Sequence, residues 1–319
     1  GLYWYYFQIT TDLGFHRIGR SAENKPVIVG TSDTPQLWQL TVYMDDFSEP
    51  EWLYGGVYYQ IFVDRFNRGS KSGPVSCDDS ARRGLPPKKV RDDWGGMPEY
   101  LPQDGRICNN DFFGGNLAGI REKLPYLAEL GVTCIYLSPI FEAYSNHKYD
   151  TGNYLKIDPM FGTEEDFISL CKSAKKLGIR VILDGVFSHT GSDSIYFDKY
   201  GNYGGHGAWS DPSSPYRSWY YFDKNGNYET WWAIDTLPRV RKENEDYRQF
   251  ITGEDGVVRH WIALGASGWR LDVVDELPAD FTAALCKAAR SERADSVIIG
   301  EVWEDASSKE AYEERKNYF

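Results

Sequence analysis

No stretch of this chain approaches the roughly 20 consecutive apolar residues that a membrane-crossing helix needs, and its start carries no basic segment followed by a short apolar core. It begins without Met, so it reads as the inner part of a longer product, with cytoplasmic and secreted locations both open. Basic residues are in deficit, 35 against 47 acidic, for a formal net charge of -12, and they form no stripe that would neutralise phosphates. A nucleic-acid partner is excluded on that ground; neutral ligands fit better. Cysteine is scarce: Cys77, Cys108, Cys134, Cys171 and Cys286 form no CxxC pair and no zinc-type spacing with His. Cys134 in an apolar strand and Cys171 on the apolar face of a helix read as small buried hydrophobes. A Cys77 to Cys108 disulfide is compatible with the one long loop that holds both.

What is abundant is aromatic. Phe, Trp and Tyr make up 16% of 319 residues, with 11 Trp and 23 Tyr. Flat faces carrying a polar tip are what sugar rings stack on and hydrogen-bond to, although most such residues individually serve the core. At 41% hydrophobic the chain has enough apolar material for one large domain or two ordinary ones.

Residues 1–50 differ from the rest: Leu2 to Phe7 and Leu37 to Tyr43 are short β-rich runs with Gly and Pro between them. They read as the C-terminal part of a β-sandwich, joined by a polar linker from Asp45 to Pro50. From residue 51 onward, apolar strands alternate with helical patterns, as in βα units around a parallel sheet. The strands are Val57 to Val63, Val132 to Pro139, Ile179 to Gly185, Gly268 to Val274 and Val297 to Trp303. One helix carries Leu117, Ile120, Leu124, Leu127 and Leu130 at helical spacing, with Pro125 inside it and Gly131 as its stop. A second starts at a Thr163/Asp166 capping box, buries Phe167, Leu170, Cys171, Ala174 and Leu177, and stops at Gly178. Five such units begin either a doubly wound sheet or a (β/α)8 TIM barrel, and the absence of any G-x-G-x-x-G or P-loop after a strand favours the barrel. A stretch at about 190–245, rich in Gly, Tyr and Trp, is too long for a βα loop and reads as an inserted subdomain after strand three.

Active sites of barrels sit at the C-terminal ends of the strands. There the third strand places Asp184 and then His189, the fourth Arg270 and Asp272, and the fifth Glu301. Arg270 and Asp272 are two apart and so share a side, which lets the guanidinium hold the carboxylate ionised. Glu301, among apolar neighbours, is expected to keep a proton to donate. Two carboxylates with opposed proton affinities are what glycosidic cleavage requires. Each residue alone is more often structural, an ion pair or a solvated strand end; their recurrence at successive strand ends is what points to chemistry.

The runs Asp184-Gly185-Val186-Phe187-Ser188-His189, Gly268-Trp269-Arg270-Leu271-Asp272 and Glu301-Val302-Trp303 resemble three signature regions of the α-amylase family of glycoside hydrolases, over about residues 51–319. The resemblance implies Asp272 as nucleophile, Glu301 as general acid/base, Arg270 orienting Asp272, and His189 and Asp184 lining the subsite of the cleaved sugar. Asn146-His147-Lys148-Tyr149-Asp150 is similar to a family segment whose His bonds that sugar and whose Tyr stacks under it. Leu237-Pro238-Arg239-Val240 and Asp275-Glu276 resemble the neopullulanase and cyclomaltodextrinase branch, which puts Glu276 among the substrate contacts, and members of that branch cut α-1,4 and often α-1,6 bonds. The implied substrates are starch-derived α-glucans, pullulan or cyclodextrins, and the full-length protein is compatible with a homodimer.

Two departures from the family pattern stand out. Ser188 replaces an Asn that ligates a structural calcium in many members; no cofactor is needed for the chemistry, and Asp78-Asp79 or Asp92-Asp93 read as solvated acidic loops first and as alternative Ca²⁺ loops second. The fourth signature, which supplies a third carboxylate, is absent before Phe319, so the chain by itself is expected to be inactive. A transglycosylase would use the same residues, and a non-catalytic binding subunit would have lost Asp272 or Glu301.

Overall fold

The computed structural model describes residues 2–30, 33–42, 49–70, 82–102, 105–303, 310–311 and 314–315. Its centre is a five-stranded parallel sheet: Val57–Ile61, Val132–Leu137, Arg180–Gly185, Gly268–Leu271 and Val297–Gly300. Every neighbour in this sheet is the next strand in sequence, with Tyr59 and Val181 both beside Ile135, Leu183 beside Trp269, and Trp269 beside Ile298. A doubly wound sheet reverses its order part-way, whereas a barrel wall does not. Four of the strands stop earlier than their apolar runs, and the third ends at Gly185 as read: the first yields to a 3-10 turn at Val63–Arg65, and Glu301 follows the fifth rather than lying in it.

Among the described residues there are five helices, α1 Leu117–Glu129, α2 Glu164–Lys176, α3 Glu245–Thr252, α4 Val257–Ala263 and α5 Ala279–Glu292; α1, α2 and α5 pack on the sheet, and α3 and α4 pack on each other and on α5. Asn116 caps α1 by accepting the Gly119 N–H at 2.8 Å, and the helix runs through Pro125, which faces solvent where water can serve the freed carbonyl. In α2 the capping box is formed in both directions, Thr163 N–H to Asp166 at 3.0 Å and Asp166 N–H to Thr163 at 3.3 Å. Leu130 and Leu177 depart from the expected faces: each sits at a helix end and is about half exposed, at 51% and 45%. The Gly after each has φ of +84° and +73°, the left-handed turn that ends the helix.

Within residues 2–42 two small antiparallel sheets form, Leu2–Tyr5 with Trp38–Thr41, and Phe7–Thr11, Gly14–Arg20 and Pro26–Val29. Between the second strand and α2 lies an antiparallel hairpin, Phe141–Ala143 with Thr151–Ile157, that the apolar periodicity did not announce. Its turn carries His147 and Tyr149. The stretch at 190–245 is held by isolated bridges, among them His189 to Arg239 and Tyr220 to Val240, around packed Phe197, Tyr220 and Tyr228 rings. Among the described residues no helix is long and apolar enough to cross a membrane. Cys134 and Cys171 are buried, and their thiols are pushed up to about 12 by that burial; Cys77 and Asp78-Asp79 lie outside the described residues.

Candidate active site

The strand ends converge on Arg270. Its Nη1 donates to both oxygens of Asp184 at 2.9 and 3.0 Å and to Asp272 Oδ1 at 2.9 Å, while its Nη2 lies 2.6 Å from Glu301 Oε2. Asp272 and Glu301 thus rest on different nitrogens of one planar fork. The backbone reinforces this, because Asp272 N–H donates to Gly185 O at 3.1 Å and Glu301 N–H to Leu271 O at 3.0 Å. Val273, directly after Asp272, has φ of 46° and ψ of 58°, a left-handed conformation that a β-branched residue adopts only under constraint. That turn points its N–H at Glu301 Oε2, 3.0 Å away.

A cleft of about 760 Å³ opens above this cluster, lined by His147, Tyr149, His189, Arg270, Asp272 and Glu301, with Trp231 from the stretch at 190–245 and Asn109 from the loop before α1. Asp184 and Glu276 lie outside the lining. Asp184 is 2% exposed and sits beneath the floor, accepting from the hydroxyls of Tyr136 and Tyr149 as well as from Arg270. Glu276 accepts one indole N–H on each oxygen, from Trp231 and Trp232, both at 2.8 Å. It braces the strained turn in which Trp232 and Ala233 have φ of 50° and 59°. Trp231, braced in this way, lies against the His189 ring with centroids 4.9 Å apart. Tyr136 and Trp231 were missed from sequence. The former was detectable as a polar-tipped residue on the inner face of a barrel strand.

The electrostatics correct one expectation. Asp272 is pushed up to about 7, by burial first and the Asp184 charge second, and Arg270 recovers only part of that. Asp184 is likewise pushed up to about 6 by burial. Nor do apolar neighbours isolate Glu301: they lie behind it on the strand, while its carboxylate reaches back to Arg270 and stays 29% exposed. His189 is buried and driven down to about 3, so it is a neutral ring, with Nε2 3.1 Å from the Tyr149 carbonyl. Burial also lowers His147, whose Nδ1 accepts the Tyr149 N–H at 3.1 Å and whose Nε2 lies 3.2 Å from Asn109 Nδ2.

No group of three or more metal-ligating side chains occurs among the described residues. Asp93 is taken by Arg91, at 2.5 Å, and the Ser188 hydroxyl is buried without a hydrogen-bond partner among the described residues.

The family model "Alpha amylase, catalytic domain" matches residues 60–318. The chain belongs to the α-amylase family. Catalysis in that family requires no cofactor, and its catalytic domain is a TIM barrel, in keeping with the consecutive strand order. Among relatives, this α-amylase-family chain is 40% identical to an amylopullulanase of Thermoanaerobacterium saccharolyticum, over 95% of the chain and 26% of that protein. It is 35% identical to neopullulanase 2 of Thermoactinomyces vulgaris, over 82% of the chain and 41% of that protein. The solved type III pullulan hydrolase of Thermococcus kodakarensis superposes with a TM-score of 0.69 at 30% identity, covering 91% of this chain and 50% of that one. The chain therefore spans half or less of the length of each of these relatives.

Proposed function

We propose that this chain supplies the front part of the catalytic (β/α)8 barrel of a retaining glycoside hydrolase acting on α-1,4 and α-1,6 bonds in starch fragments, pullulan or cyclodextrins. In this reading the five parallel strands are the first five of eight, residues 190–245 form the inserted subdomain, and residues 1–50 end a β-sandwich. One observation carries it: Asp272 and Glu301 both contact one guanidinium, at 2.9 and 2.6 Å, at the ends of adjacent strands beside an aromatic-walled cleft. Two carboxyl groups sharing one guanidinium support a close pair, with the roughly 5 Å separation of a retaining enzyme, over the wider gap that admits a water for inversion.

Glu301 gives its proton to the leaving glycosidic oxygen while Asp272 attacks the anomeric carbon, forming a glycosyl ester. Glu301 then takes a proton from water, which cleaves the ester and restores both groups. Before the first step a sugar bound in the cleft displaces Glu301 from Arg270, and the freed carboxylate takes up a proton from water. His147, Tyr149 and neutral His189 contact the cleaved sugar; Arg270 and Asp184 keep Asp272 in line. The names of the relatives, amylopullulanase and neopullulanase, support the substrate class.

The test is the complete enzyme on maltohexaose, pullulan and β-cyclodextrin, with the anomer of the first-formed product read by NMR. An α-anomer and products shorter than the substrate are expected. A β-anomer would overturn retention, and products longer than the substrate would replace hydrolysis by transfer.

A further inference from the structure

Lys148 is fully buried, and the chemistry above leaves it unused. It sits between His147 and Tyr149 in the hairpin turn, yet while they line the cleft its side chain runs inward. Its Nζ lies 2.6 Å from Asp158 Oδ2 and donates to Ala143 O at 3.0 Å, with the Phe112 and Phe161 ring centroids 4.9 and 5.3 Å away. Asp158 in turn accepts from the N–H groups of Ala143 at 3.2 Å and Met160 at 2.9 Å. A second buried cation, Lys88, faces the same carbonyl of Ala143 at 3.5 Å. The Lys148 backbone has φ of +64°, in the left-handed region that a long L side chain enters only when its surroundings impose it.

Stability alone does not account for such a pair, since replacing a buried ion pair by neutral groups of similar shape is often neutral or stabilising. Geometry does account for it. Lys148 itself gives the turn two tethers, its ammonium on Asp158 and its N–H on Ser145 Oγ at 2.9 Å, beside the Asn146 side chain on Asp111 Oδ1 at 2.9 Å and the Asn146 N–H on Asn109 O at 2.7 Å. Tyr149 then delivers three contacts in register: its N–H to His147, its carbonyl to His189 and its hydroxyl to Asp184 at 3.0 Å.

We propose that the Lys148–Asp158 pair is a positioning device, an internal anchor that fixes the strained turn so that His147 and Tyr149 meet the sugar and the Asp184–Arg270 floor together. This rests on reading the cleft as a glucan-cleaving site. The residues are positioning residues because neither reaches the cleft.

The test uses Lys148→Met, Asp158→Asn and the double variant in the complete enzyme, with melting temperature and kcat and KM for maltohexaose measured for each. Either single variant leaves a buried group without its partner and lowers the melting temperature; the double variant recovers most of it. Activity is expected not to follow. In the double variant kcat/KM stays at least about 10-fold down, approaching about 10²-fold as expected for a small misplacement, with most of the loss in kcat. A double variant with wild-type melting temperature and wild-type kcat/KM would overturn the proposal. Should the double variant not fold, Lys148→Met assayed below its melting transition decides the matter, since normal kcat/KM in the folded protein overturns it equally. An inactive wild-type enzyme would instead sink the glucan-cleaving reading.

Discussion

The two ends of the central sheet are built from the same strands and behave oppositely. At the lower end Trp52 and Leu53 pack with Cys134, Ile182 and Val297; the Trp52 indole donates to Asp295 O at 2.9 Å and lies under the Arg180 guanidinium. At the upper end Asp184, Arg270, Asp272 and Glu301 crowd within hydrogen-bond reach of one another. Ile182 and Asp184 are two residues apart on one strand and face the same interior, so position along the strand separates packing from chemistry. Burial acts at both ends. Below, it drives the Cys134 thiol to about 12; above, it lifts Asp272 to about 7.

The comparison breaks most sharply at Asp272. Replacing Asp272 by Asn is expected to lower kcat by at least roughly 10⁴-fold. A carboxylate whose folded pKa is raised loses stability as pH rises from its unfolded value through its folded one, so the charged form costs stability above about pH 7. Asp272→Asn should therefore melt no lower than wild type at pH 8. A kcat within 10-fold of wild type, or a collapse of the melting temperature, would contradict this account of the upper end.

Arg270→Lys tests the fork. A point charge cannot span three carboxylates, so kcat/KM should fall about 10²- to 10³-fold. In the wild type the acid limb of the kcat/KM profile should reflect the Asp184 and Asp272 pair, between about 6 and about 7, because Asp272 must be ionised to act as the proposed nucleophile. In the Lys variant that limb should move to higher pH, as a partner favouring the charged form is weakened. An unmoved limb would assign the titration to other groups.

Trp52→Ala probes the lower end, where a half-buried indole and one hydrogen bond should be worth about 2 kcal/mol of stability with kcat/KM per folded molecule unchanged. A loss of turnover at full folding would mean the two ends are coupled. The smallest effect is expected from Glu276→Gln, which weakens the brace on the Trp231–Trp232 turn. KM should rise by about 3- to 10-fold with kcat nearly constant, in line with the loss of one or two hydrogen bonds to a charged acceptor.

The sheet was legible in the sequence because each strand is a mostly apolar run set between helical patterns, and its upper end because titratable residues recur where those runs stop. The antiparallel hairpin of residues 7–20 was not, since every residue of Phe7–Thr11 is exposed and burial imposes no alternation there. The hairpin behind His147 and Tyr149 was hidden because its first strand continues the apolar run of the preceding one. For the site, a pairwise view of Arg270 and Asp272 suggested a lowered proton affinity. Burial reverses the sign, and Asp184, distant in sequence, adds to it by bringing a second buried carboxylate to the same guanidinium. Glu276 carried a legible motif, but its indole partners are about 45 residues away and only the fold brings them to it.

The left-handed conformation of Val273 bears on engineering. A search for thermostabilising replacements would nominate Val273→Gly, since glycine occupies that region without steric cost. The same relaxation would let the amide swing away from Glu301, so a hotter-running variant chosen at this position should be a slower one. The sites to avoid when hardening this protein against heat are those where its backbone is least comfortable.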